Sequence, residues 1–186
     1  MFRLNLYPRR KRETLRAWDA ADEYALHHIH RENSLRDGDT LLILNDGFGA
    51  LSVALADYGP QMMSDSFISH RGAAANLARN GKELKSVRLL NSLQSPVGPC
   101  DIVLVKIPKH LSLLEDQLYR IRRSLHPEAH IIGAGMARHI HTSTLELFER
   151  IVGPTRTSLA RKKARLIHCR PNPEIDPGNS PYPTYY

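Results

Sequence analysis

Short unbroken apolar runs alternate along this chain with stretches in which apolar residues recur every three or four positions, and this alternation constrains the fold more than any other feature. Leu41-Leu42-Ile43-Leu44 has no polar residue to turn toward solvent, the pattern of a strand buried on both faces. Such a strand needs helices on either side of its sheet, and parallel neighbours joined by crossover helices supply them. A helix is expected from Thr14 to about His30, carried by Leu15, Trp18, Ala21, Ala25 and Ile29. After the first strand, Ala50 to Tyr58 reads as helix and Gln61-Met62-Met63 as a second strand. Ser69 to Asn80 follows as helix, with Gly81 at the left-handed C-terminal cap. Val87 to Leu90 and Ile102 to Val105 are the third and fourth strands.

The clearest stripe, Leu111, Leu114, Leu118, Ile121 and Leu125, predicts a helix that Pro127 stops. Ile131-Ile132 opens a fifth strand that runs into Gly133-Ala134-Gly135. Ser143-Thr144-Leu145-Glu146 has capping-box spacing ahead of Leu145, Phe148 and Val152. Thr155 to Leu159 and Arg165 to Cys169 lean toward strand, with Arg161-Lys162-Lys163 at the hairpin tip between them. The class that follows is α/β, a mostly parallel sheet with helices on both faces and an antiparallel hairpin at one edge. Residues 1–170 make that domain, while 171–186, with five prolines, read as a Pro-rich linker that does not fold by itself.

The 186 residues suffice for one such domain, and 41% hydrophobic with 24% charged residues fits a globular protein. No apolar run approaches membrane-spanning length, and the basic start from Met1 to Glu13 has no apolar segment behind it. Two distant cysteines, Cys100 and Cys169, exclude a disulfide framework and read as buried thiols of a cytoplasmic, reducing setting. The net charge of +7 is bunched. Arg9, Arg10, Lys11 and Arg12 form one run, and Arg161, Lys162, Lys163 and Arg165 another, with Arg156 upstream. Arg120, Arg122 and Arg123 make a weaker group. Each run alone fits a solvated face, whereas two dense runs in a basic domain also fit an RNA or DNA surface.

In sheets of this type ligands sit beyond the carboxyl ends of the strands. Asn45-Asp46-Gly47-Phe48-Gly49 holds a Gly-x-Gly pair, fit either for close approach of backbone to a ligand or for a tight turn needing positive φ. The full G-x-G-x-x-G of a nicotinamide- or nucleotide-binding turn is absent. Asp65, after the second strand, is placed either to accept from a ribose or to cap the next helix. The fourth strand ends in Lys106-Ile107-Pro108-Lys109. Methyl transfer to an exocyclic amine needs an acceptor there, and lysine has three donors and no acceptor, so that chemistry is disfavoured. Lys106 instead reads as an exposed lysine or as a phosphate contact. His139 and His141, considered with Ser143 and Cys169, lack a third ligand at standard spacing, so neither a metal site nor a triad is expected.

With these residues in view, the chain resembles the N-terminal half of the bacterial ribosomal RNA guanine-N2 methyltransferases, most closely the G type of the large-subunit enzymes, with the C type of the small-subunit enzymes a more distant cousin. LRAWDAADEYAL, LLILNDGFGALSVALA, VKIPKHLSLLEDQL and HIHTSTLELFERIVGPTRTSLARKKARLIHC carry the resemblance, which runs from Leu15 to Cys169. It implies a Rossmann-like class I methyltransferase fold. It also implies that this is a degenerate copy, non-catalytic and without a cofactor of its own, serving RNA binding and scaffolding. S-adenosylmethionine and the catalytic Asn-Pro-Pro-Phe/Tyr motif would belong to a C-terminal domain of the same protein, which is then a partner along with ribosomal RNA. Under the resemblance Asn45, Asp46, Gly47 and Gly49 stand in the glycine-rich motif, and Ile43 stands where an active copy has an acid. Asp65 matches the ribose-binding acid, Asn91 the adenine-side position, and Lys106 and Pro108 fall in the catalytic tetrapeptide. The surviving glycines and Asp65 leave open the alternative of an active S-adenosylmethionine enzyme.

Overall fold

The computed structural model describes residues 1–183; residues 184–186 of the expected linker lie outside the described residues. A seven-stranded sheet in the order β3-β2-β1-β4-β5-β7-β6 forms its centre. In chain order the elements are α1 (Ala20–Arg31), β1 (Leu41–Leu44), α2 (Ala50–Ala54), β2 (Gln61–Met63), α3 (Phe67–Arg79), β3 (Arg88–Leu90) and β4 (Cys100–Lys106). They continue with α4 (Leu111–Arg122), β5 (Leu125–Met136), α5 (Thr142–Ile151), β6 (Thr155–Thr157) and β7 (Ala164–Cys169). Strands β1 to β5 pair in parallel, and only β7 runs antiparallel to its neighbours β5 and β6. The hairpin thus lies at one edge, with β7 inside and β6 outermost.

All four residues of β1 are buried, and their alternation divides the core. Leu42 and Leu44 join Val103, Val105 and the α4–α5 residues Leu114, Leu118 and Phe148 on one face. Leu41 and Ile43 join Leu104, Ile132 and the α1 residues Ala21, Ala25 and Ile29 on the other. A smaller cluster seats α3 on the β2 end through Met62, Ala73 and Leu77. Burying each of these large side chains contributes roughly 1.5–3 kcal/mol, so the double-sided packing holds the sheet together.

Several boundaries differ from the sequence expectation, each for a local reason. Helix α1 starts at Ala20, not Thr14, because Asp19 caps it by accepting from the Ala21 and Asp22 N–H groups while Asp22 accepts from the Asp19 N–H. Leu15, part of the expected stripe, is exposed. Helix α4 ends at Arg122, and Leu125 already belongs to β5. Pro127 does not stop the helix; it lies inside β5, where Leu125 pairs with Cys100 and His130 with Ile102. The irregularity between those pairs leaves Pro127 where no ladder N–H is required. Helix α5 is entered through His141, whose N–H donates to Thr144 Oγ1, so Ser143 sits inside the helix instead of capping it. Among the described residues of the Pro-rich tail, 171–183, none is in a helix or strand, but the segment is tied down, with the Tyr119 hydroxyl donating to the Pro177 carbonyl at 2.9 Å and the Tyr182 hydroxyl to Glu115 Oε2 at 2.8 Å.

At the amino edge of the sheet three imidazoles gather. His28 of α1, His130 of β5 and His168 of β7 have ring centroids 4.8 to 6.3 Å apart, and His130 Nε2 lies 3.1 Å from His168 Nδ1. Burial first, then Arg170, the other two imidazoles and Arg156, push His130 down to about 3, and burial followed by His28, Arg156 and Arg170 pushes His168 to about 4. Both rings therefore stay neutral in the folded chain where an unfolded histidine, near 6.5, takes a proton. Their contribution to stability is complete above that value and declines as pH falls below it. We expect the gap in urea midpoint between wild type and His130→Gln to move against wild type between about pH 7 and pH 5. A gap that does not change with pH would contradict a depressed His130.

Candidate nucleic-acid interface at the carboxyl edge

The strands of a doubly covered sheet become polar only where they emerge, and at the carboxyl edge they emerge together. β1 ends in Asn45, whose φ of +62° turns the chain and whose side chain points back into the fold. Its amide donates to the Lys106 carbonyl at 3.0 Å and exchanges hydrogen bonds with the amide of the buried Gln117 at 2.7 and 2.8 Å. Asp46 is buried, and its carboxylate accepts from both the N–H and the hydroxyl of Ser52 at 2.8 Å, at the first turn of α2. Burial pushes the Asp46 carboxyl upward, against the pull of those Ser52 donors. Gly47 is exposed with open space around it, so the tight-turn reading applies to Gly49 alone. There φ is +79° and a Cβ would lie 2.7 Å from Ala73 Cα, which is what lets α2 approach α3.

Lys106 is the largest departure from the sequence reading. It is not an exposed surface lysine, since only 14% of its side chain is accessible, and its Nζ lies 2.7 Å from both Asp19 Oδ1 and Asp22 Oδ1. Although burial opposes its charge, the Asp22 and Asp19 carboxylates hold the ammonium above its usual range. Burial pushes Asp22 up to about 6, against the attraction of Lys106. Asp19, less enclosed, is lowered by Lys106 and by backbone N–H groups in spite of its partial burial. The triad thus ties the first turn of α1 to the end of β4.

Beside it lies a cleft of about 340 Å³ whose walls include Trp18, Phe48, Lys106, Pro108, Arg16 and Lys109. The N-terminal segment lines the cleft through Arg16, Ala17 and Trp18, and its earlier residues lie on α3. Asn5 exchanges backbone hydrogen bonds with the Asn76 side chain of α3, which also donates to the Phe48 carbonyl. Gly72 leaves room for Phe48 and Tyr7 to lie against that helix, since a Cβ there would come within 2.9 Å of Phe48. Asp65 does not cap α3; Ser66 does so by accepting from the Ser69 N–H, and Asp65 is exposed after β2. Asn91 is exposed after β3, its side chain bonding the N–H groups of Leu93 and Gln94 in its own turn.

The basic residues fall into two places. Arg9, Arg10, Lys11 and Arg12 are exposed in the N-terminal segment between Tyr7 on α3 and Trp18 at the cleft. Lys162 and Lys163 form a two-residue turn with φ of +49° and +64°, and Arg161 exchanges two backbone bonds with Ala164 across it. That tip also lies at the carboxyl edge, because Ala164 pairs with Met136 at the end of β5. Lys162 is paired with Glu23 at 2.9 Å, while Arg161 and Lys163 remain exposed. Arg156 does not join them; it pairs with His168 at the amino edge. Arg165 is half-buried, with its Nε enclosed. His139 and His141 are exposed at the carboxyl edge, whereas Cys169 is buried at the amino edge, so they cannot share a site. Among the described residues no group of three His, Cys, Asp or Glu is arranged to hold a metal ion. Nor is any helix among them long and apolar enough to cross a membrane.

The RLMG N-terminal domain family matches residues 1–173. The chain belongs to that family. It is 45% identical over its full length to the ribosomal RNA large subunit methyltransferase G of Streptomyces avermitilis and covers 48% of that protein. Against the Aeromonas salmonicida protein of the same name the figures are 46%, with 97% of this chain and 48% of the relative covered. The chain therefore spans about half the length of the curated relatives it matches. Among solved structures, the T. thermophilus 16S rRNA N2 methyltransferase, bound to AdoMet and guanosine, superposes with a TM-score of 0.65 at 17% identity over 97% of this chain and 44% of that one. A SAM-dependent methyltransferase from Aquifex aeolicus gives 0.62 at 17% identity, covering 76% and 87%. At such identity the likeness concerns the fold, which is that of the class I methyltransferases.

In this RLMG N-terminal domain the Lys106 triad is a buried ion-pair network, and removing the cation leaves two carboxylates without their counter-charge. Lys106→Met is expected to lower stability by about 2–4 kcal/mol, less than a wholly enclosed pair because Asp19 is half exposed. Adding Asp22→Leu to that variant recovers part of the loss. Urea unfolding of both variants measures this, and a Lys106→Met cost of about 1 kcal/mol or less, as for a surface pair, would contradict the account.

Proposed function

We propose that this domain is the non-catalytic, RNA-holding and scaffolding half of a cytoplasmic ribosomal RNA large-subunit methyltransferase, with the carboxyl edge of its sheet as the RNA surface. The observation that carries this reading is the charge at that edge. Exposed Lys109, Arg161 and Lys163 lie there, and Arg9, Arg10, Lys11 and Arg12 are exposed in the segment that leads to Trp18 at the cleft. Of the acids there, Asp19, Asp22 and Glu23 are held by Lys106 and Lys162, while Asp65 is exposed. Clustered, solvent-facing cations meet phosphates and release counterions, which suits RNA held by its backbone without sequence preference. The names of the relatives supply the substrate class, ribosomal RNA, and their greater length leaves room for a separate catalytic domain as partner.

The residues present do not fit S-adenosylmethionine. Apolar Ile43 stands at the position where the resemblance calls for an acid, and it is fully buried in the sheet. The Asp46 carboxylate already occupies the N-terminal turn of α2, where a ligand carboxylate would otherwise find backbone donors. The Lys106 ammonium, held by Asp19 and Asp22, meets the cleft with donors only and supplies no acceptor to orient a substrate amine toward a methyl group. We expect calorimetry with S-adenosylmethionine to give no saturable heat, and a Kd of about 10 micromolar or tighter, near −7 kcal/mol, would overturn the degenerate-pocket reading.

For RNA, replacing Arg161, Lys162 and Lys163 with alanine should weaken binding to unrelated RNA sequences alike. It should also flatten the log–log salt dependence by about 0.7 for each single-strand phosphate that is no longer neutralised. Arg156→Ala, at the opposite edge, serves as the control that leaves binding unchanged. Equal affinity of the triple variant and wild type across salt concentrations would reduce the tip to a solvated surface.

A further inference from the structure

We infer that the cleft beyond β1 and β4 takes one unpaired nucleobase of the bound RNA, stacked against Trp18, with Arg16 and Lys109 on the adjoining sugar-phosphate. This rests on the RNA reading above and adds to it a site. The volume of about 340 Å³ is at the small end of what holds a ligand, roughly 300–1,000 Å³, which suits a single base better than an extended cofactor. Its walls combine what single-stranded nucleic acid requires, aromatic and apolar surfaces from Trp18, Phe48 and Pro108 with cations from Arg16 and Lys109.

Trp18 is held ready for this role. Its Nε1–H donates to Glu23 Oε1 at 3.2 Å, and the Arg16 guanidinium carbon lies 5.6 Å from its ring centroid. The next residue, Asp19, is fixed by the α1 cap and by Lys106, so the ring's backbone is anchored although no helix or strand contains it. The ring remains part-exposed, an arrangement that costs apolar burial and that a stacking partner would complete.

The setting selects RNA as the source of the base. The first turn of α1 borders the cleft through Asp19 and Asp22, and its next residues Ala20, Glu23 and Tyr24 line the groove under Arg161 and Lys162. From Trp18 in the cleft wall the chain leads back through Arg16, also in that wall, to the exposed Arg9–Arg12. An RNA strand lying along α1 from the Arg161–Lys162 groove toward Trp18 would pass the cleft. One base turning inward leaves its phosphates on the cations at either side.

Trp18 is the chain's sole tryptophan, so its fluorescence reads this cleft alone. The test titrates the full chain with a single-stranded RNA of about eight nucleotides, within the usual site sizes, and with an abasic ribose-phosphate oligomer of equal length. Saturable quenching by the RNA and none by the abasic oligomer is the expected result. By anisotropy of labelled RNA, Trp18→Leu should weaken binding by about 5- to 150-fold, the equivalent of roughly 1–3 kcal/mol of stacking for one base. Trp18→Tyr, which keeps an aromatic face, should retain most of the affinity. RNA that binds without quenching, or quenching by the abasic oligomer to the same degree, overturns the base site and leaves the RNA edge standing. Absence of RNA binding even at low salt overturns both. If Trp18→Leu fails to fold by circular dichroism, the comparison of the two oligomers on wild type decides alone.

Discussion

A strand covered on both faces can present polar groups only at its ends, and this constraint organises the whole molecule. β1 is buried throughout, as is Ile102 to Val105 of β4, so hydrogen-bonding and charged side chains first become possible at Asn45 and at Lys106. The chemistry of the domain is thereby driven to the carboxyl edge, the same edge at which class I methyltransferase-like sheets carry their ligands. What differs is what the polar residues do on arrival. Asn45 bonds to Gln117, Asp46 to Ser52, and Lys106 to Asp19 and Asp22. Each is turned inward onto the protein itself and fastens one element to another.

On the reading proposed above, those fastenings explain how a degenerate site persists. A buried ion pair adds little net stability over an apolar substitute, yet breaking one partner is costly. Lys106 is therefore retained by its aspartates without any need for catalysis, and the aspartates in turn anchor α1 and the aromatic residue before it. On the proposed reading the ligand-facing surface shifts outward, to rim side chains with no partner among the described residues. Arg9–Arg12, Lys109, Arg161 and Lys163 are of this kind.

Much of the fold was legible in the sequence because double-sided burial leaves a strong local trace. Leu41–Leu44 reads as a strand without ambiguity, and the hairpin tip at Arg161-Lys162-Lys163 lies where turn and strand patterns place it. Strand order was not legible, since periodicity carries no information about which strands are neighbours. Elements ended differently wherever a cap or an irregular pairing outweighed periodicity. Asp19 and Asp22 cut short a stripe that Leu15 and Trp18 extend, and the Asp-x-x-Asp spacing of a reciprocal cap was the available signal. The Lys106 contact to Asp19 spans 87 positions, beyond the reach of any local pattern. Its period assigns Trp18 to the buried stripe, whereas the structure makes it a wall of the cleft. The charge runs were legible as runs but not in their positions, since proximity in sequence groups Arg156 with a tip from which the full length of β7 separates it.

The central claim is that RNA is held at the carboxyl edge of the sheet by a domain that performs no chemistry there. Hydrogen–deuterium exchange of the full chain, with and without a ribosomal RNA fragment, tests the location directly. The account predicts protection confined to the segment from Tyr7 to Trp18, the loop after β4 at Lys106–His110, and the β6–β7 tip. Protection centred instead on Arg156, Arg170 and the histidines at the amino edge, with the carboxyl edge unchanged, would contradict it.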